Sequence, residues 1–206
     1  MPITRQLTAG IILVLVLAAL LAILATVSRD DPPSLMNATL LPEPKPIAEF
    51  ALFDDAGMKF DQAALLGRWT LLFFGFTNCP DVCPLTLQQL ASVRAELLQR
   101  GQAPVPDIVF ISVDPERDSQ ATLAAYVAHF GEGIRGASAA LPALQQFTSD
   151  LGIFFRREPG PPQSYQVSHS AAVLLVNPRG ELHAILSAPQ NTAALVNDLP
   201  ILMDAQ

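Results

Sequence analysis

Residues 69–84 read WTLLFFGFTNCPDVCP, an apolar run that gives way to a loop holding both cysteines of the chain. From Trp69 to Phe76 the apolar residues are continuous instead of alternating, which marks a strand covered on both faces. Just beyond the cysteines, Leu85 to Gln99 places Leu87, Leu90, Val93, Leu97 and Leu98 at helical spacing. A buried strand that ends in a cysteine loop and continues as a helix is the start of an α/β unit. In such sheets ligands gather at the carboxyl ends of the strands.

The pattern extends in the C-terminal direction. Ile108 to Val113 (IVFISV) reads as a second buried strand, stopped by Asp114-Pro115. Residues 119–130 open on an N-cap-like Ser119 and carry Leu123, Tyr126, Val127 and Phe130 on one helical face. A short helix over 141–151 and a strand near Ile153 to Arg157 follow. Val173 to Val176 and Leu182 to Leu186 flank Asn177-Pro178-Arg179-Gly180, which predicts an antiparallel hairpin. A last helix is expected near Asn191 to Met203. The order corresponds to an α/β, thioredoxin-like fold with a helical insertion before the hairpin.

On the N-terminal side the composition changes. Gln6 to Ser28 holds no charge, and Ile11 to Val27 is almost wholly Ile, Leu, Val and Ala. About 20 apolar residues suffice to cross a bilayer, whereas a cleavable signal core is shorter, roughly 7–15. The expectation is one N-terminal transmembrane helix over 7–28 after a cytoplasmic stretch 1–6, then a Pro-rich linker 29–46 and a domain over 47–206. Arg5 precedes the span, and Arg29 is offset by Asp30 and Asp31, so the positive-inside rule points the domain out of the cytoplasm. Beyond the span lie 11 basic and 19 acidic side chains, a net of −8, which disfavours nucleic acid and anionic lipid surfaces.

Cys79 and Cys83 stand four apart, so a helical turn brings both thiols to one face. A close pair outside the cytoplasm serves as a disulfide, a redox centre or a metal site. Pro84 suits a first helical turn, which sets the sulfurs near the positive end of the helix dipole, where thiolate is favoured. Three residues separate the cysteines, against two in the usual thioredoxin-type motif, and the wider loop suits a metal at least as well as a disulfide.

The string GFTNCPDVCP (75–84) resembles the signature of the Sco (SenC) family, copper proteins of the mitochondrial inner membrane and bacterial envelope. Val113 to Asp118 (VDPERD) resembles that family's Asp-Pro-x-Arg-Asp segment, and Val167 to Ser170 (VSHS) the segment with its copper-binding His. The apolar N-terminus is also typical, and the similarity covers about residues 45–203. Asn78 stands where the family commonly has His, and Ser168 where it commonly has Asp, a carboxylate that would fix the tautomer of the neighbouring imidazole.

The resemblance implies copper, as Cu(I) and Cu(II), held by Cys79, Cys83 and His169. It further implies a metallochaperone in the periplasm or intermembrane space that serves the copper-bearing subunit of cytochrome c oxidase, with other copper chaperones or thiol reductants as further partners. The ligand chemistry agrees: two soft sulfurs favour Cu(I), and an imidazole makes Cu(II) acceptable. Zinc accepts the same groups, but a structural zinc site usually takes four ligands. By analogy of fold, the loop that carries His169 faces the cysteine loop. A thiol:disulfide oxidoreductase using Cys79 and Cys83 is the alternative, and a peroxidase of the peroxiredoxin kind a third reading. His129 reads as an ordinary helix residue and His183 as an exposed hairpin residue. Asp114, Arg117 and Asp118 border the site by resemblance, with no role beyond charge assigned by the residues themselves.

Overall fold

The computed structural model describes residues 15–19, 34–162 and 164–205. The expected span 7–28 lies outside the described residues except for 15–19, which are helical. Among the described residues no helix is long and apolar enough to cross a membrane.

The domain is built on an eight-stranded sheet. Its centre is β4 (Thr70–Gly75), paired in parallel with β5 (Asp107–Ser112) and antiparallel with β9 (Val173–Val176). Every residue of β4 is buried because both faces are covered. Leu71 and Phe73 enter one apolar cluster, while Leu72, Phe74 and Phe76 enter the other. The helix after β4 is α2 (Val82–Gln99), which buries Leu87, Leu90, Val93 and Leu97 against the first cluster. Leu98, expected on the same face, is exposed, since it falls about 100° round the helix from Leu97.

β9 and β10 (Glu181–Leu186) form the expected hairpin, and α5 (Thr192–Asp204) closes the chain. The β4–α2–β5 unit joined to the β9–β10 hairpin and α5 is the thioredoxin-like core. Between its halves come α3 (Gln120–Ala128), β6 (Ile134–Ser138), α4 (Leu141–Asp150) and a separate two-stranded sheet of β7 (Phe155–Arg157) and β8 (Val167–His169). The insertion is therefore not wholly helical: β6 extends the main sheet in parallel beside β5. Its sequence IRGAS is poor in β-branched residues, and Gly136 is required where α3 crosses, because a β-carbon there would lie 2.4 Å from Leu123 Cγ.

The N-terminal boundary of the domain also moves. Residues 29–46 are expected as linker, yet Ala38–Pro46 is β1, the antiparallel edge partner of β10. Three prolines fit there because an edge strand needs only half of its N–H groups, and the register shifts between Leu40 and Lys45. The buried carboxylate of Asp198 fastens the entry to this strand by accepting from the N–H groups of Met36 and Asn37 at 2.8–3.0 Å. Two short strands, β2 (Ala51–Asp54) and β3 (Lys59–Asp61), and the single turn α1 (Gln62–Leu65) complete the far edge.

Candidate metal centre

The cysteine loop leaves the carboxyl end of β4 and turns at once, with the Cys79 N–H donating to Phe76 O at 3.2 Å. Helix α2 begins with Asp81 as N-cap, but the Asp81 side chain bonds no open donor of the first turn. Instead the Cys83 N–H points to the sulfur of Cys79 at 3.5 Å. One cysteine thus closes a first-turn donor of the helix on which the other sits. Both thiols are free; Cys83 is buried and Cys79 half-buried. Room for the Cys83 sulfur comes from Gly75, where a β-carbon would meet it at 2.6 Å and Phe110 Cε2 at 2.7 Å.

His169 ends β8, and its ring stands edge-on to Phe76 at 5.8 Å. Its Nδ1 lies 3.0 Å from the carbonyl of Val167 and its Nε2 lies 3.5 Å from Cys83 Sγ. A carbonyl only accepts, so Nδ1 is the donor of that pair, and Nε2 is the ring nitrogen directed at the sulfur. The backbone thereby fixes the tautomer that Ser168 has no carboxylate to fix. Ser168 itself points away and donates to Glu158 at 2.6 Å. Of the three expected ligands, Cys83 and His169 lie side by side, and Cys79 adjoins Cys83. Among the described residues no group of three His, Cys, Asp or Glu side chains is already gathered closely enough to hold an ion.

The expectation that the helix dipole favours thiolate here needs correction for Cys83. Burial pushes that thiol well up, outweighing a backbone hydrogen bond at Phe76 that pulls it down, and the adjoining Cys79 sulfur adds to the rise. In a pocket this dry, desolvation of the anion outweighs a half-charge at the helix end.

The turn Asp114–Asp118 ties the two halves of the site together. Buried Asp118 accepts from the Thr77 N–H at 2.9 Å, from the Thr77 hydroxyl at 2.6 Å and from the Ser112 hydroxyl at 2.6 Å, so it holds the entry to the cysteine loop. Buried Asp114 pairs with Arg117 and accepts from the Tyr165 hydroxyl at 2.6 Å. Arg117 also donates to Tyr165 O at 2.9 Å and lies 3.7 Å from the centre of the Tyr165 ring, while Arg157 stacks on that ring at 3.8 Å. Tyr165 leads into β8, so this clasp sets where His169 arrives. Nothing in the residue pattern singles out Tyr165; only its place two residues before β8 hints at a role.

The other two histidines separate. His129 caps the exposed end of α3 and bonds Ala125 O. His183 is buried, not exposed: its Nε2 donates to Leu202 O at 2.8 Å and its ring meets Trp69 edge-on at 5.0 Å. An irregular register between Leu182 and Ala184 turns it inward against α5.

A provisionally named copper-binding protein of Stutzerimonas stutzeri is 33% identical over 99% of this chain and 98% of its own length. The human mitochondrial protein SCO2 homolog is 36% identical over 133 residues, 64% of this chain; the chain spans about half the length of such mitochondrial relatives. Among solved structures, copper-bound yeast Sco1 is similar with a TM-score of 0.73 and 29% identity over 79% of this chain and 91% of that one. Copper-bound ScoI of Arabidopsis thaliana gives 0.72 and 27% over 77% and 98%. The sequence profile described as SCO1/SenC matches residues 39–204, from the first residues of β1 to the last of α5, and the chain belongs to that family.

Proposed function

We propose that the chain is a membrane-anchored copper metallochaperone. Cys79, Cys83 and His169 take up the ion, and the domain, facing the periplasm or intermembrane space, passes it to the copper-bearing subunit of cytochrome c oxidase. The observation that carries this reading is the approach of His169 Nε2 to Cys83 Sγ at 3.5 Å, in a pocket where the partner thiol sits beside the first turn of the helix. Two sulfurs and one neutral imidazole fit Cu(I) and tolerate Cu(II), and a three-ligand site that is not fully gathered beforehand suits an ion that must leave again. Copper-bound relatives of the same fold support the choice of metal. Anaerobic titration with Cu(I), and with Cu(II) in air, tests it through thiolate-to-copper absorption. The expected result is one ion per chain with loss of affinity in His169→Ala; no stoichiometric uptake, or uptake indifferent to that substitution, sinks the assignment.

A second reading has one observation in its favour. Cys79 is the more accessible thiol, and its sulfur faces a helix N–H, the position of an attacking thiol in disulfide exchange. Reduction of a partner's cysteines and copper transfer are compatible, because copper binding requires the reduced pair. The reduction potential of the Cys79–Cys83 pair separates them: a disulfide too stable to be formed and broken by a partner excludes the exchange role.

A further inference from the structure

Gln190 follows β10 and is buried, yet only one half of its carboxamide is used. Its Nε2 donates to the carbonyls of Ala171 and Leu186, both at 3.4 Å, while its Oε1 is buried without a partner. Buried polar atoms are nearly always paired, so a side chain with an idle oxygen calls for an explanation through its donors. What those donors hold is the three-residue link 170–172 between His169 and β9. Elsewhere the link is tied to Phe154, whose N–H donates to Ser170 Oγ at 3.0 Å and whose carbonyl accepts from the Ser170 N–H at 2.9 Å.

The turn that carries Gln190 is itself fastened from the N-terminal side of the domain. Asn37 Nδ2 donates to Ser187 O at 2.9 Å and to Pro189 O at 3.1 Å, and the Ser187 N–H donates to Asn37 O at 3.0 Å. The Asn37 N–H in turn donates to the buried Asp198 carboxylate at 2.8 Å. The strand register explains the meeting. Val173 lies opposite both Phe73 of β4 and Leu186 of β10, and Leu186 lies opposite Ala38 of β1. The entry of β1, the Gln190 turn, the link after His169 and the start of the cysteine loop therefore share one end of the sheet.

We propose that Gln190 and Asn37 are positioning residues for the His169 imidazole: Gln190 fixes the chain that leaves the ligand, and Asn37 fixes the turn that presents Gln190. The Tyr165 clasp sets the chain that enters β8, so the ligand is held from both sides. A hydrogen bond is directional and apolar packing is not, so two carbonyls on one amide set the place of the link where a side chain of equal bulk would not. The setting of His169 thereby depends on residues 36 and 37 being docked on the domain. The role rests on the copper reading of His169; its test does not rest on copper alone.

The substitutions, in the full chain, are Gln190→Leu, which keeps the bulk and removes both donors, and Asn37→Ala, a milder change at a half-buried position. Each is expected to lower Cu(II) affinity about two- to tenfold, the scale of one hydrogen bond. Made beside His169→Ala, each is expected to lower it no further, because the group it positions has gone. Equal losses in both backgrounds, or no loss beside an intact His169 in a chain that binds copper, overturn the proposal. In the copper-free protein both substitutions are expected to shift the His169 ring resonances and to speed hydrogen exchange at the Ser170 N–H. Ring resonances and exchange equal to wild type overturn it as well. If Gln190→Leu does not fold, the same measurements on Asn37→Ala decide. If the wild type takes up no copper, the copper reading fails, and the ring and amide signals still decide the case for Gln190 and Asn37.

Discussion

Cys83 holds its proton in a place where copper needs a thiolate, and that conflict has a measurable sign. Burial raises its folded-state pKa above the ordinary value of 9.0, so at neutral pH the ion must displace a proton to bind. Apparent Cu(I) affinity is therefore expected to climb about tenfold per pH unit for each thiol proton displaced, across pH 6 to 8. Competition against a chelator of known pH dependence measures the slope. A flat profile would mean that the thiolate is already present. The same rise contributes stability to the copper-free fold that is whole below pH 9 and is lost as the pH climbs above it. At this scale the sequence was informative about identity and silent about environment. The spacing of Cys79, Cys83 and Pro84 placed the first helical turn correctly, whereas the inversion of the thiol's ionisation depends on Gly75, Phe76 and Phe110 closing round it.

The elements place the two halves of the site on different supports, α2 and the β7–β8 sheet, and the Asp114–Asp118 turn hydrogen-bonds to the chain leading into each. Tyr165→Phe removes the hydroxyl that meets buried Asp114, a bond to a charged group worth about 1.5–3 kcal/mol. A drop in melting temperature of that size is expected, together with weaker Cu(II) absorption, since His169 is less firmly presented while the cysteine pair is untouched. Unchanged absorption in a destabilised variant would show that the clasp supports the fold alone. The charges of the VDPERD segment were visible in the sequence; their targets were not, because Thr77 and Tyr165 lie 41 and 51 residues away from the acids they bond.

Across the whole molecule the thioredoxin-like core was legible from its strongest patterns: the continuous apolar runs of β4 and β5, the helical spacing of α2, and the turn of the β9–β10 hairpin. The strand β1 was not, because its prolines hide a ladder that only an edge position permits. A chain beginning at Ile47, the boundary that composition suggests, would bare the edge of β10 and strip the buried Asp198 carboxylate of its Met36 and Asn37 donors. Such a chain is expected to lose on the order of 3 kcal/mol or more and to aggregate through the open edge, whereas one beginning at Leu35 keeps the full stability. Urea unfolding of the two chains compares them directly.

Copper uptake of the proposed kind requires three side chains to meet at one ion. X-ray absorption at the copper edge of the Cu(I)-loaded protein, beside its His169→Ala variant, reads the ligand set without intermediaries. The expected shell holds two sulfurs and one imidazole nitrogen, with the nitrogen lost in the variant. Copper held by sulfur alone in the wild-type protein, or a shell unchanged by the substitution, would contradict it.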